Sequence, residues 1–179
     1  MDQVAERAGV SKQTVYSHVA NKEALFIEVV DGMTGGAGDA LADRVPDPPD
    51  GAEPAVFLRG FAEGQLGIVL TPRLMQLRRL VIGEVGRFPE LGAVLHARGP
   101  RRSIHRLAGA IAAFARMGRL KADDPVAAAG YFNWLIMGGP VNDAMLLGDD
   151  AIPDADMQAR HAAECVRIFM AAYGYRGAD

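Results

Sequence analysis

The sequence predicts an all-α fold, in which a short helix-turn-helix at the N-terminus is followed by a bundle of longer helices. Apolar residues recur at helical spacing along most of the 179 residues. No stretch shows the strict alternation of apolar and polar residues that indicates a strand. We expect residues 1–32 to form the helix-turn-helix segment and residues 33–179 to form the bundle.

The first three helices are each bounded by a residue suited to a helix end. Residues 2–8 carry an apolar stripe, and Gly9 follows where a left-handed residue ends a helix without steric cost. Ser11 can cap a second helix over residues 12–19, and Asn21 can cap the third. Two short helices separated by a glycine turn are typical of a helix-turn-helix.

The third helix is expected to run past Val30 and then to weaken. The glycines between residues 32 and 38 each cost up to about 1 kcal/mol of helix propensity. The proline-rich residues 44–52 predict a loop after this helix.

Further helices follow, and glycine or proline marks most of their ends. Thr71-Pro72 and Gly99-Pro100 are breaks, whereas Asp124-Pro125 and Asp154 are helix starts. The predicted helices cover residues 53–70, 73–85, 88–99, 101–117 and 154–174, and a long apolar helix opens at Asp124-Pro125.

The second helix is polar on the face opposite Val15. Lys12 and Tyr16 form one exposed row at a spacing of four residues, and Gln13 and Ser17 form another. A solvated face is the ordinary explanation, but a polar helix at this position of a helix-turn-helix is also what enters the major groove of double-stranded DNA. Lys12 and Gln13 carry groups suited to base edges.

Phosphate contacts, which position a protein on DNA without reading its sequence, are suited to Thr14, Tyr16, His18 and Lys22. Lys22 lies in the first turn of the third helix, where backbone amides already attract a phosphate. The candidate DNA-binding residues are Ser11, Lys12, Gln13, Thr14, Tyr16, Ser17, His18 and Lys22.

Residues 5–26, AERAGVSKQTVYSHVANKEALF, resemble the DNA-binding segment of TetR/AcrR-type transcriptional regulators. Residues 80–92 and 118–132 are similar to the effector domains of the same family. The resemblance implies a transcriptional repressor that binds a palindromic operator in double-stranded DNA as a homodimer. It also implies that a small hydrophobic effector releases the DNA, with no cofactor.

The family's fold begins with an arm and a first helix, whereas this sequence begins at the second helix of that fold. We therefore expect an incomplete DNA-binding segment, with Val4, Ala8 and Val15 partly uncovered. A misassigned start codon and a natural truncation both explain this difference. Truncation leaves an alternative from another class, a helical ligand-binding or dimerising protein without competent DNA binding.

Large apolar side chains in the middle helices can fill the core or line a ligand cavity. The resemblance implies an effector pocket there, and pockets are lined mainly by such side chains. Trp134 is the leading candidate because its indole N–H needs a partner when buried. The predicted ligand-binding residues are Phe57, Phe61, Met75, Phe88, Phe114, Trp134 and Met137.

The last two helices are apolar around more of their circumference than a helix needs to pack on its own core. A monomer would expose a larger apolar patch than soluble proteins usually tolerate. We therefore expect the two helices to pair with their twofold copies in a four-helix bundle. The predicted dimer-interface residues are Phe132, Ile136, Ala162, Cys165, Val166, Phe169, Met170 and Tyr173.

Composition argues against other classes of protein. No apolar run reaches transmembrane length and no signal-peptide pattern is present, so we expect a cytoplasmic protein without membrane contact. The single cysteine excludes an intrachain disulfide. The net charge of −3 does not exclude DNA, since a small face makes the contact.

The titratable residues do not suggest catalysis. His161 and Cys165 lie four residues apart, but two ligands are too few for a closed metal site, so packing is the favoured interpretation. No carboxylate is paired with a nucleophile or a phosphate loop, and we expect no enzymatic activity. Arg101, Arg102 and Arg106 form a basic patch. A solvated helix start is the ordinary interpretation, and an anionic effector or a phosphate contact is the alternative.

Overall fold

A computed structural model describes residues 1–49 and 51–174, and these residues form an all-α fold. Within them, β-type pairing is limited to one isolated bridge between Leu120 and Gly174. The predicted fold class is therefore confirmed. Asp50 of the predicted loop and residues 175–179 of the predicted second segment lie outside the described residues. In the described part of the chain, no helix combines the length and apolar character needed to cross a membrane.

Helices follow one another through short connections. A wide helical turn over Ala97–Arg101 joins α6 to α7, and a short 3-10 turn over Asp149–Ala151 lies between α8 and α9. The helices are α1 Asp2–Ala8, α2 Lys12–His18, α3 Lys22–Arg44, α4 Pro54–Val69, α5 Pro72–Glu84, α6 Pro89–His96, α7 Arg102–Arg116, α8 Pro125–Leu147 and α9 Ala155–Tyr173.

The predicted caps account for the starts of α2, α3, α8 and α9. The hydroxyl of Ser11 accepts the Thr14 N–H at 3.0 Å, and the side chain of Asn21 accepts the Ala24 N–H at 2.7 Å. Asp124 and Asp154 cap α8 and α9 in the same way, at 3.0 and 2.8 Å. Each cap satisfies an amide that has no partner inside its helix, so these boundaries follow from local chemistry.

The expectation that the third helix weakens among its glycines is wrong, because α3 continues to Arg44. One of these glycines allows a close approach instead: a Cβ on Gly38 would lie 2.9 Å from Nη1 of Arg102. Tertiary contacts thus outweigh the low helix propensity of glycine. The expected boundary after residue 32 falls inside this helix.

Three arginines of the α6–α7 segment attach α3 along its length. Charge-assisted hydrogen bonds of this kind are among the stronger ones in proteins. Arg98 donates to Asp31 at 2.5 Å, Arg102 donates to Asp39 at 2.5 Å and to the Gly35 carbonyl at 3.2 Å, and Arg106 donates to the carbonyls of Leu41, at 3.3 Å, and Val45.

The main core lies where α4, α7, α8 and α9 meet, and it includes the fully buried Leu58, Phe61, Ile111 and Phe132. A smaller cluster lies where α3 meets α5 and α6, and it consists of Val30, Leu77, Val81 and Leu91. The space between these two clusters is bounded by α3, α4, α5 and α8.

Candidate nucleic-acid interface and ligand cavity

The turn between α1 and α2 has the geometry that the sequence predicts. Gly9 adopts a left-handed conformation with φ of 68°, and its N–H is bonded to the Glu6 carbonyl at 3.1 Å. A side chain in this conformation would be strained. Ala5 and Val15 are buried at 5% and 8% exposure, so α1 and α2 form one unit with a small apolar contact.

On the polar face of α2, some side chains form hydrogen bonds within the helix and others are exposed without such a bond. The hydroxyl of Ser11 lies 2.8 Å from that of Thr14, and the Ser17 hydroxyl donates to the Thr14 carbonyl at 2.7 Å. These hydroxyls therefore stabilise the helix itself. Gln13 and Tyr16 are exposed and make no such internal bond among the described residues.

Lys12 pairs with Asp2 of α1, with 2.8 Å between Nζ and Oδ1. The hydrogen bond from Lys12 holds the pKa of the Asp2 carboxyl below its usual value, and Asp2 raises the pKa of the Lys12 ammonium. Both side chains are exposed, so water and salt screen the pair. Lys12 can therefore exchange Asp2 for a phosphate or a base.

The other two predicted cationic or titratable positions also face solvent. His18 ends α2, and Lys22 is exposed in the first turn of α3. Together with Lys12 and Gln13, they place basic and amide groups at the same end of the molecule. The predicted DNA-binding residues thus lie on α2 and on the adjoining start of α3.

The expectation of uncovered apolar residues holds for two positions. Val4 is 39% exposed and Ala8 is also exposed, whereas Val15 is buried because α1 packs across it. The helix-turn-helix unit keeps its own contact although part of α1 faces solvent.

A cavity of about 110 Å³ lies between α3, α4, α5, α8 and the α6–α7 turn. Met75, Trp134 and Met137, which the sequence singles out, line it. Trp134 is half exposed at the edge, whereas Met75 and Met137 are buried. Much of the remaining wall is apolar and includes Leu41 and Ile68.

Phe57, Phe61 and Phe114, by contrast, lie away from this cavity. Their rings pack together in the main core, with centroids 6.3 Å apart for Phe57 and Phe61 and 5.7 Å apart for Phe57 and Phe114. Phe88 lines a separate surface depression of about 410 Å³ next to Lys22. Helical periodicity predicts that these rings are buried, but it does not predict which side of the bundle holds a cavity.

Sequence reasoning missed the polar part of the cavity wall. Gln65 and Asn133 are buried at 4% and 1% exposure, and Nε2 of Gln65 donates to Oδ1 of Asn133 at 2.8 Å. Thr34, Arg78 and Ser103 also line the cavity. An available signal was the occurrence of single amides, Gln65 and Asn133, inside otherwise apolar helices, since a buried amide needs a partner.

The predicted dimer seam is largely core. Phe169 is 3% exposed, and its ring centroid lies 4.8 Å from that of Phe132 and 4.6 Å from that of Tyr173. The wide apolar arc is used inside the chain because α9 packs against both α4 and α8. Met170 and Tyr173 are partly buried against this core, and the fully buried predicted residues are Phe132, Ile136, Ala162, Cys165, Val166 and Phe169.

His161 and Cys165 connect α9 to α8. His161 Nε2 lies 2.8 Å from the Ile136 carbonyl, and the Cys165 thiol donates to the Leu135 carbonyl at 3.4 Å. Burial raises the pKa of the Cys165 thiol. No group of three or more residues suited to a metal ion occurs in the described ranges.

The fold and the exposed polar face of α2 define a helix-turn-helix DNA-binding regulator. Two family models match the sequence: "Bacterial regulatory proteins, tetR family" over residues 1–29, and "AefR-like transcriptional repressor, C-terminal domain" over residues 57–175. The chain therefore belongs to the TetR family of transcriptional regulators, which are not enzymes. Among curated proteins, none matches the chain.

Solved structures of the same family are similar along almost the whole chain. A TetR-family regulator from Mesorhizobium loti has a TM-score of 0.91 and 29% identity, over 97% of this chain and 86% of that chain. The flavonoid-responsive regulator FrrA has a TM-score of 0.76 and 29% identity, over 99% and 87%. A TetR regulator from Agrobacterium tumefaciens has a TM-score of 0.73 and 26% identity, over 96% and 82%.

Proposed function

We propose that this protein is a homodimeric repressor that binds a palindromic operator in double-stranded DNA and is released by a small molecule in the cavity. The observation that carries the proposal is the continuity of α3. This helix of 23 residues begins beside α2 at Lys22 and reaches the cavity at Thr34 and Leu41. A rigid element that contacts both sites can couple them.

In this proposal residues 1–32 bind DNA and residues 33–179 bind the ligand and dimerise. Lys12 and Gln13 contact bases, while Thr14, Tyr16, His18 and Lys22 contact phosphates. Ser11 and Ser17 act mainly by holding α2, since their hydroxyls are engaged within it. As a partner of chromosomal DNA, the protein acts in the cytoplasm.

A second copy is proposed to pack against the outward faces of α8 and α9. Those residues of the predicted interface that are buried within the chain cannot form this contact, but exposed apolar side chains remain on both helices. Tyr131 and Trp134 of α8 are 66% and 50% exposed, and Met157 and Ile168 of α9 are 52% and 42% exposed. Residues 131 and 134 share one face of α8, and 157 and 168 share one face of α9, which suits an isologous contact.

The effector is proposed to be aromatic. FrrA, at 29% identity, is a flavonoid-responsive regulator, and in this chain the wall of the cavity offers Trp134, Met75 and Met137 to a ring.

The function is tested by selecting DNA from a random pool with the purified protein and measuring binding by fluorescence anisotropy. We expect a palindromic site, two subunits per site, and a ligand that weakens DNA binding. By linkage, DNA must weaken binding of that ligand by the same factor. Failure to enrich any sequence would contradict DNA binding and favour a helical ligand-binding or dimerising protein. A cavity ligand with unchanged affinity in the presence of operator would contradict its role as effector.

A further inference from the structure

One arginine in the wall of the ligand cavity, Arg78, has no carboxylate partner among the described residues, whereas the other three form ion pairs. Arg78, Arg98, Arg102 and Arg106 line the cavity, and no Asp or Glu does so among the residues that the structure describes. An arginine without a carboxylate partner in a cavity wall attracts a negatively charged ligand.

Three of these arginines already donate hydrogen bonds to other residues, and the fourth does not do so among the described residues. Arg98, Arg102 and Arg106 donate to carboxylates or carbonyls of α3 and the residues after it. Arg78 has no hydrogen-bond or ion-pair partner within residues 1–49 and 51–174. Burial lowers the pKa of its guanidinium, as expected for a cation removed from water without an anion nearby.

Unpartnered polar atoms are gathered in the same place. In the described part of the chain, the buried side-chain atoms without a hydrogen bond are Thr34 Oγ1, Gln65 Oε1 and Ser103 Oγ. All three residues line this cavity. Such atoms usually have partners in folded proteins, so their collection around one cavity indicates that a polar ligand supplies them.

Gln65 shows which kind of partner is required. Its Nε2 is bound to Asn133, which leaves Oε1 as an acceptor. An acceptor is satisfied only by an O–H or N–H donor. The ligand therefore needs a donor for Gln65 and a negatively charged acceptor for Arg78.

The size and the apolar part of the wall limit the rest of the molecule. The cavity volume is about 110 Å³, and an apolar cavity of roughly 150 Å³ accommodates benzene. This smaller volume limits the ligand to a single ring, part of which lies at the solvent-exposed edge beside Trp134. Leu77, Ile68, Met137 and Trp134 provide apolar contacts for that ring.

We propose that the effector is a single-ring aromatic carboxylate with a hydroxyl group, whose carboxylate binds Arg78 and whose hydroxyl donates to Gln65. This inference rests on the proposed ligand-responsive function and states the chemistry of its ligand. It replaces a purely apolar effector with an amphipathic anion.

The experiment measures ligand binding by calorimetry on the full chain without DNA. The probes are 4-hydroxybenzoate, the neutral 4-hydroxybenzamide, benzoate and inorganic sulfate. We expect 4-hydroxybenzoate to bind about tenfold to a hundredfold more tightly than the amide, since a charge-assisted hydrogen bond contributes that much. It should also bind more tightly than benzoate, because only the hydroxylated probe satisfies Gln65.

Variants assign each preference to a residue. Arg78→Gln should bring the affinities for carboxylate and amide close together, and Gln65→Leu should do the same for 4-hydroxybenzoate and benzoate. Arg73→Gln is the matched control, because Arg73 lies exposed on α5 outside the cavity. Arg78→Met is the second variant: it should raise the melting temperature of the unliganded protein and abolish stabilisation by the carboxylate.

The proposal is overturned if none of the probes binds saturably, if the amide binds as tightly as the carboxylate, or if Arg78→Gln keeps the preference. Sulfate binding as tight as that of 4-hydroxybenzoate would show a site for inorganic anions and would also overturn it. Because DNA is absent, these outcomes are separate from the operator selection. If 4-hydroxybenzoate binds but the operator selection enriches no DNA sequence, this inference stands and the proposed repressor function is contradicted.

Discussion

Arg79 of α5 and Asp149 after α8 form an ion pair, with 2.5 Å between Nη2 and Oδ1. Nη1 of the same arginine donates to the Ala144 carbonyl at 2.9 Å, and Gln76 donates to Oδ2 of Asp149 at 2.9 Å. These bonds attach α5 to the end of α8. Since Arg78 and Met75 lie on α5, the pair also holds one wall of the cavity.

The Asp149 pair predicts a pH dependence of stability. Hydrogen bonds from Arg79 and Gln76 hold the pKa of the Asp149 carboxyl below its usual range. A carboxylate with a lowered folded-state pKa stabilises the fold above its unfolded pKa, and that stabilisation is lost as pH falls through the folded pKa. Urea unfolding followed from about pH 5 to about pH 3 should show a smaller loss of stability for Asp149→Asn than for the wild type.

The matched control for this titration is Asp150→Asn, since Asp150 is the exposed neighbour in the same turn. The Asp150→Asn protein should lose stability against urea with falling pH to the same extent as the wild type. Equal curves for the two variants would show that the pair does not contribute to acid sensitivity.

The ion pair between Lys12 and Asp2 predicts a gain in DNA affinity on removing the carboxylate. Asp2→Asn frees the Lys12 ammonium and removes a negative charge close to the proposed contact face. We expect tighter operator binding and a salt dependence steeper by up to about one unit of slope. Anisotropy titrations at several salt concentrations measure both quantities. Glu6→Gln, on the exposed part of the same helix, is the control, and an equal gain there would indicate a general charge effect.

Substitutions of Gln13 and of Lys22 should affect DNA binding in different ways. Gln13→Ala should relax specificity at one base pair, at a cost of about 1–3 kcal/mol there. Lys22→Ala should weaken binding to all sequences and lower the salt slope by about one unit. Competition between operator, single-base variants and random DNA distinguishes them. If both substitutions reduce operator and random DNA binding equally, the assigned roles are wrong.

Dimerisation should depend on Ile168 and not on its neighbour Phe169. Ile168→Glu places a charge on the outward face of α9, so it should give folded monomers with weak operator binding. Phe169→Ala removes a buried ring and should instead cost about 3–5 kcal/mol of folding stability, because Phe169 is 3% exposed. Light scattering reports mass, and thermal unfolding reports stability.

Val56→Glu provides the control for the charged substitution, since Val56 is 72% exposed on α4. This variant should remain dimeric. An Ile168→Glu protein that also remains dimeric would place the contact on another face.

Much of the helical fold could be predicted because its signals are local. The side chains of Ser11, Asn21, Asp124 and Asp154 cap helices within three residues of themselves, and such bonds form whatever the rest of the chain does. The helix-turn-helix is predictable for the same reason, since Gly9 and the caps determine both of its ends.

The length of α3 and the position of the cavity could not be predicted in this way. Propensity at Gly38 argues against a helix, and the helix persists because Arg102, distant in sequence, packs across it. Likewise, periodicity indicated that Phe61 and Met75 are apolar core or cavity residues and that Phe169 lies in an apolar arc expected at a dimer interface. It did not indicate which neighbour each of them contacts.

Local chemistry in the sequence therefore determined where α2, α3, α8 and α9 begin, which family the helix-turn-helix segment resembles and which side chains avoid water. Only the tertiary structure decided that Phe169 belongs to the core and that Ile168 faces outward. It also decided that Arg78 and Gln65 line the same cavity, where Arg78 has no partner among the described residues. The physical reason is that burial and pairing depend on contacts between residues far apart in sequence. The spacing of residues along a helix carries no record of which neighbour will pack against it.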